Sequence, residues 1–372
     1  MGQFENELLM DVFSLLYKSR KVDEKMGKLV KQNKGTSFYL STAGHELVGI
    51  TIAKNLISKK DYALPYYRDR AFVIALGSSL IDLFGSFMAR KVDSHSGGRM
   101  MPDHFCDKRL KIVCQSSVVG TQFLQAVGVA RAIDLKNLDE VVYVSAGDGA
   151  TSQGDFHEAL NYASIHKLNV IFVIQDNGYA ISVKVSEQTA GGNIAKIARG
   201  YTNLNVFEVD GTDFFELDKI SKKAILNARE KKGPSLIVAK VPRINSHTIS
   251  DDHKKYRTSE EILKDFQNDP LSKLENFLLE KKLISEEELN VKKHQINEEI
   301  EEAVIAAEKV EFPSKEEATL KIFKEFDFTE ASFGKNSHIK TSFETKESTD
   351  EIVIMDAINN ALVEEMQRDE KI

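Results

Sequence analysis

The chain has 372 residues, 42% hydrophobic and 29% charged, with a net charge of −7. That is room for one large or two ordinary globular domains, and the acidic balance excludes the basic footprint of a nucleic-acid binder. There is no run of about 18 apolar residues for a membrane span, and MGQFENELLM lacks the basic-then-apolar layout of a signal peptide. Cys106 and Cys114 fit neither a redox pair nor zinc spacing, so they read as ordinary thiols of a reducing, cytoplasmic compartment.

In chain order, apolar residues at three- and four-residue steps predict helices over 3–34, 43–57 and 69–90. Residues 91–117 are irregular around SGGRMMPDH. A helix follows over 121–135. Then strands and helices alternate: strand 141–146, helix 153–166, strand 169–176, strand 207–211, helix 214–231 and strand 234–242. Alternation of this kind predicts an α/β fold, a parallel sheet with helices on both faces. VVYVSA and VIFVI are apolar throughout, as strands covered on both sides require. Residues 259–309 read as helical and charged, with Ser285 opening a capping box. Residues 327–350 have the polar, aperiodic composition of a linker, and 351–372 give a short β-like entry into an amphipathic helix. The domain expectation is therefore 1–326, a linker 327–350, and 351–372 as the start of another unit.

The stretch GDGATSQGDFHEALNYASIHKLNVIFVIQDNGYAIS, residues 147–182, carries the chemistry. It reads strand, GDG turn, helix, strand, then Asp-Asn-Gly. In an open parallel sheet, ligands sit beyond the carboxyl ends of the strands, where both Asp148 and Asn177 fall. The free N–H groups opening helix 153–166 suit an anion, and Gly147 and Gly149 allow close approach of a bulky ligand. A bare carboxylate would repel a phosphate, but a divalent ion between them removes the conflict. Mg²⁺ takes oxygen ligands at about 2.1 Å, often one or two protein groups plus phosphate and water. Asp148 and the side-chain oxygen of Asn177 would supply two ligands, and a carbonyl near Tyr179 a third. The bland alternative is a surface turn with an Asp cap and a separate Asx turn; the intervening helix and strand at this spacing favour the metal clamp.

GDG, about 26 residues, then [DN]-N resembles the thiamine-diphosphate motif. The surrounding wording is similar to the α subunit of 2-oxo acid dehydrogenases, the thiamine-dependent decarboxylating component, over roughly residues 10 to 325. Where that family usually reads Asn-Asn, this chain has Asp176-Asn177. The resemblance implies Mg²⁺ on Asp148, Asn177 and the Tyr179 carbonyl, and cofactor contacts from Gly147, Gly149 and Ala150. In YYRDR (66–70) it implies that Tyr67 and Arg68 hold the diphosphate, a task suited to the forked guanidinium; the alternative is solvated arginines at Arg68 and Arg70. In RINSHTISDDHKKYR (243–257) it implies a mobile active-site loop of about twelve polar residues, ordered by the cofactor. There His247 is the catalytic histidine for acyl transfer and Arg243 a diphosphate contact. In QSSVVGTQ (115–122) it implies that Ser117 and Val119 meet the aminopyrimidine, and that Ser116, Thr121 and Gln122 hold K⁺. A valine, Val118, replaces the family proline there. GGRMMPDHF places His104 on the substrate side, and STAGHE (41–46) has at most a positioning role.

The activating carboxylate for the cofactor comes from the β subunit in this family, and nothing in 1–326 plays that part. Residues 352–372 (IVIMDAINNALVEEMQRDEKI) resemble the opening of a β subunit. The chain is thus expected to be the front part of an α–β fusion. The implied activity is oxidative decarboxylation of a 2-oxo acid, with the branched-chain type favoured by the HTISDD wording of the loop. The acyl group would pass to the lipoyl group of a dihydrolipoamide acyltransferase, in a two-fold assembly with β halves. The alternatives are a pyruvate or acetoin dehydrogenase component, and a non-catalytic fragment that only binds cofactor.

Overall fold

The computed structural model describes residues 3–36, 38–320 and 352–369. The first half runs α1 (Gln3–Lys31), α2 (Glu46–Asn55), β1 (Tyr62–Leu64), α3 (Arg70–Leu76), α4 (Leu80–Phe87), α5 (Thr121–Leu135), β2 (Val142–Gly147), α6 (Gly154–His166) and β3 (Val170–Asp176). It continues with a small hairpin, β4 (Tyr179–Ala180) and β5 (Val183–Lys184), then α7 (Val185–Gln188), α8 (Ile194–Ala198), β6 (Asn205–Asp210), α9 (Phe214–Arg229) and β7 (Ser235–Lys240). Three helices follow, α10 (Ser259–Gln267), α11 (Pro270–Glu280) and α12 (Glu286–Lys309), and later α13 (Ile354–Arg368). Residues up to Ala318 form one compact unit, and the chain from Thr319 a second. The expected linker 327–350 lies outside the described residues.

The main sheet is parallel throughout, in the order β1-β2-β3-β7-β6. Strand alternation sends successive side chains to opposite faces. Tyr143, Ile171, Val173 and Ile237 join one core with Phe13 of α1, Ile50 of α2, Phe72 of α3, Leu217 of α9 and Ile300 of α12. Val142, Val144, Phe172 and Val238 join the other, with Phe123 of α5, Phe156 of α6 and Ile194 of α8. This is the α/β arrangement with helices on both faces. Among the described residues no helix is long and apolar enough to cross a membrane.

Three details depart from the sequence reading. The expected helix 69–90 is two helices, because Gly77 takes φ 112° and stops α3 while Ser79 caps α4 through the amide of Asp82. Strand β1 was missed; three residues are too few to show a period. The helical tract 259–309 is three helices, restarted by Asp269-Pro270 and by a capping box at Thr258 and again at Ser285. Arg70 is fully buried rather than solvated. It binds Asp23 at 2.6 Å and Asp103 at 2.7 Å, tying α3 to α1 and to the segment that carries His104. On the outer side, Lys18–Glu299 and Lys25–Glu301 link α1 to α12, and Lys34, just past the end of α1, reaches Glu308.

Candidate functional site

A cavity of about 660 Å³ opens at the carboxyl ends of β2 and β3. Every residue expected from the sequence lines it except Thr121 and Arg243. Two adjacent strand ends bring the key pair together. Gly147 of β2 is in register with Gln175 of β3, so Asp148 and Asn177 emerge side by side, and Asp148 Oδ1 accepts the amide of Asn177 at 3.3 Å.

The environment of Asp148 has the marks of an ion site. The residue is 1% exposed, and its Oδ2 is buried without a hydrogen-bond partner. Burial, with Asp176 nearby, pushes its carboxyl up to about 6. An ionised carboxylate with a bare buried oxygen is costly unless a cation or donor meets it. Asn177 Oδ1 accepts the amide of Tyr179 at 3.2 Å, and a carbonyl-type oxygen keeps a second lone pair. Among the described residues no three His, Cys, Asp or Glu side chains cluster as metal ligands. A hard-cation set built on one carboxylate and one amide oxygen is of a different kind, and Asp148 and Asn177 fit it. A Cβ on Gly147 would meet nothing nearer than Tyr66 at 3.9 Å, so this glycine leaves the cavity wall bare. Gly149 answers to the chain itself, since a Cβ there would stand 2.9 Å from that of Ala180.

The opposite wall is basic and aromatic. Arg68 is 2% exposed, its guanidinium 5.3 Å from the Tyr67 ring. Its Nη2 lies 3.0 Å from both Nδ1 and the carbonyl of His247, and its Nη1 donates to the carbonyl of Ser41. Arg68 is always a donor, so Nδ1 of His247 accepts and the ring proton sits on Nε2. Burial first, then Arg68 and Arg243, hold His247 down at about 4. Arg243 stands behind the wall. It donates to the carbonyl of Ile181 and the hydroxyl of Tyr256 at 2.8 Å each, while its Nε is buried and unpaired.

The loop 243–257 is braced by its own side chains. Asp251 accepts from the His247 amide at 2.8 Å and the Tyr256 hydroxyl at 2.5 Å. Arg257 donates to the Arg243 carbonyl at 2.8 Å. His104 Nδ1 faces the carbonyls of Met101 and Pro102, leaving Nε2 to accept from Ser117 at 2.5 Å. The potassium set gains no support. Ser116 caps the Val118 amide, Gln122 donates to the Ser145 carbonyl, Thr121 is off the cavity, and none of the three offers a buried unpaired oxygen.

Sequence reasoning allowed the floor of the site, through STAGHE, a positioning role at most and missed Tyr66, Asp69 and Gln175. His45, at the front of α2, is fully buried and held down at about 3 by burial and by Arg68 and Arg243. Its ring meets Tyr66, Gln175 and Asn177. Beneath it Asp69, pushed by burial up to about 6, accepts from Gln175, Tyr143 and Ser145. The usable signal was a histidine directly before a buried helix, in STAGHE.

A family model described as dehydrogenase E1 component matches residues 15–316. The chain belongs to the dehydrogenase E1 component family. As an E1 component it is 38% identical over 309 residues to the 2-oxoisovalerate dehydrogenase subunit alpha of Bacillus subtilis (strain 168), covering 83% of this chain and 93% of that one. It is 33% identical over 309 residues to the pyruvate dehydrogenase E1 component subunit alpha of Staphylococcus aureus (strain Mu50 / ATCC 700699), covering 82% and 80%. The matched range contains every candidate site residue discussed above.

Proposed function

We propose that this chain is the α-type part of a thiamine-diphosphate-dependent 2-oxo acid dehydrogenase. It acts in decarboxylating a 2-oxo acid, branched-chain acids favoured, and in passing the acyl group to the lipoyl group of an acyltransferase. The observation that carries this reading is the bare, buried Oδ2 of Asp148 beside Asn177 in the E1 cavity. The branched-chain preference rests on the higher identity to the 2-oxoisovalerate relative.

Asp148, the Asn177 side chain and the Tyr179 carbonyl would hold Mg²⁺, and Tyr67 and Arg68 would hold the diphosphate. When bound, the cofactor supplies the electron sink that decarboxylation needs. Arg68 keeps the His247 proton on Nε2, the ring atom left to exchange a proton with a ligand.

The activating carboxylate belongs to a β-type half. We take 351–372 as its start, joined through 327–350. That proposal rests on the wording of 352–372, which resembles the opening of a β subunit. We place the chain in the cytoplasm on the sequence reading alone, in which the spacing of Cys106 and Cys114 fits no redox or zinc pair.

The test combines the chain with a β-type subunit, thiamine diphosphate and Mg²⁺, and follows CO₂ release from pyruvate, 2-oxobutanoate and 2-oxoisovalerate. The highest kcat/KM is expected with 2-oxoisovalerate. A preference for pyruvate would move the protein to the pyruvate or acetoin branch. Cofactor binding without turnover of any acid would leave a holding module, and no binding at all would overturn the reading.

A further inference from the structure

We infer that His45 is a positioning residue for the metal: it locks the Asn177 amide so that its oxygen, not its nitrogen, faces the ion. This rests on the reading of Asn177 as a Mg²⁺ ligand. A side-chain amide has two faces of opposite character, and only the oxygen can serve a cation. Something must therefore fix which way it points.

The orientation is fixed from both ends of a buried chain of hydrogen bonds. At one end the main-chain N–H of Tyr179, which can only donate, lies 3.2 Å from Asn177 Oδ1. That assigns the oxygen and turns Nδ2 toward His45 Nε2 at 3.3 Å. An N–H facing the ring requires Nε2 to accept, so the His45 proton sits on Nδ1. At the other end Asp69 accepts the Gln175 Nε2 at 2.6 Å, which assigns Gln175 Oε1 as the atom 3.0 Å from His45 Nδ1. The same oxygen accepts the Tyr66 hydroxyl at 2.9 Å. Both assignments demand the same His45 tautomer. Asp69 is itself held by Tyr143 and Ser145, whose side chains share one face of β2.

Strand alternation puts this relay where it can work. Tyr143 and Ser145 of β2 and Gln175 of β3 occupy the face covered by α2 and α3, while Asp148 and Asn177 lie past the strand ends. All four relay residues, His45, Tyr66, Asp69 and Gln175, are 2% exposed or less. Partners that orient a ligand from behind typically change metal affinity by about 10–100-fold when removed.

The experiment uses the full chain with thiamine diphosphate and Mg²⁺ as probes, reading Mg²⁺-dependent cofactor binding by calorimetry. His45→Leu is expected to weaken Mg²⁺ by about 10-fold or more. In an Asn177→Asp background, where either oxygen can serve the ion, the same change should cost less than about 3-fold. A variant that merely damages the fold would lose affinity equally in both backgrounds, and that result overturns the inference. A second measurement needs no variant: ¹⁵N spectra of the wild-type imidazoles should show His45 protonated on Nδ1 and bare on Nε2, and the opposite tautomer would sink the idea. If wild-type cofactor binding is indifferent to Mg²⁺, the metal reading itself fails. If it depends on Mg²⁺ and His45→Leu does not weaken it, the His45 inference alone fails.

Discussion

Arg68 holds His247 by two bonds from one nitrogen, donating to the ring Nδ1 and to the main-chain carbonyl at 3.0 Å each. A helix-side cation thereby sets both the tautomer of the loop histidine and the position of its backbone. Because the same guanidinium is the expected diphosphate anchor, ligand binding and loop placement share one residue. Arg68→Lys keeps the charge but loses the fork, so thiamine-diphosphate affinity should fall about 10-fold or more. Calorimetry checks the affinity, and limited proteolysis should show faster cleavage within 244–253.

His247 should stay neutral well below ordinary histidine range. Its pKa is lowered to about 4, so the neutral form is favoured in the fold. The stability it contributes is present above about 6.5 and is lost as pH falls through about 4. Relative to His247→Gln, the wild type should lose on the order of 2 kcal/mol across that window, measured by urea unfolding. A proton NMR titration with a midpoint near 6.5 would count against it.

Asp148→Asn should separate stability from function. The unpaired buried carboxylate destabilises the ligand-free fold, so its neutral isostere should unfold about 1–3 kcal/mol later at neutral pH. The same variant should gain no thermal stability from Mg²⁺ and thiamine diphosphate, whereas the wild type should. A variant less stable than wild type without ligand would contradict the account of this oxygen.

Gly149→Ala brings a methyl group 2.9 Å from the Ala180 Cβ. The clash should cost about 1–3 kcal/mol and shift the hairpin β4–β5. Thermal unfolding reads the first. Added Ala180→Gly should recover most of the loss, which a general packing defect would not allow.

The closeness of Asp148 and Asn177 was legible because the two residues follow consecutive apolar strands, and strand ends are visible in sequence. The relay beneath was not, because Gln175 reads as the polar end of NVIFVIQD, and only the register of β2 against β3 brings it below His45. The resemblance named Arg243 but could not show that its guanidinium turns to Ile181 and Tyr256. The break at Gly77 was readable: Gly-Ser-Ser inside a periodic run is a stop followed by a cap. Strand β1 was not, since Ala63 and Leu64 find their place only by pairing with β2.

The pairing of α1 with α12 bears on how the protein is made. Phe13 and Leu16 near the start of the chain share a core with Ile300 and Val304, and Lys18, Lys25 and Lys34 find partners on the same late helix. Helices α2 and α3 cover part of the apolar side of α1 early, but its α12 side is sealed only once nearly all of the compact unit has been synthesised. The α1–α12 seam joins segments far apart in the chain, and such contacts close late.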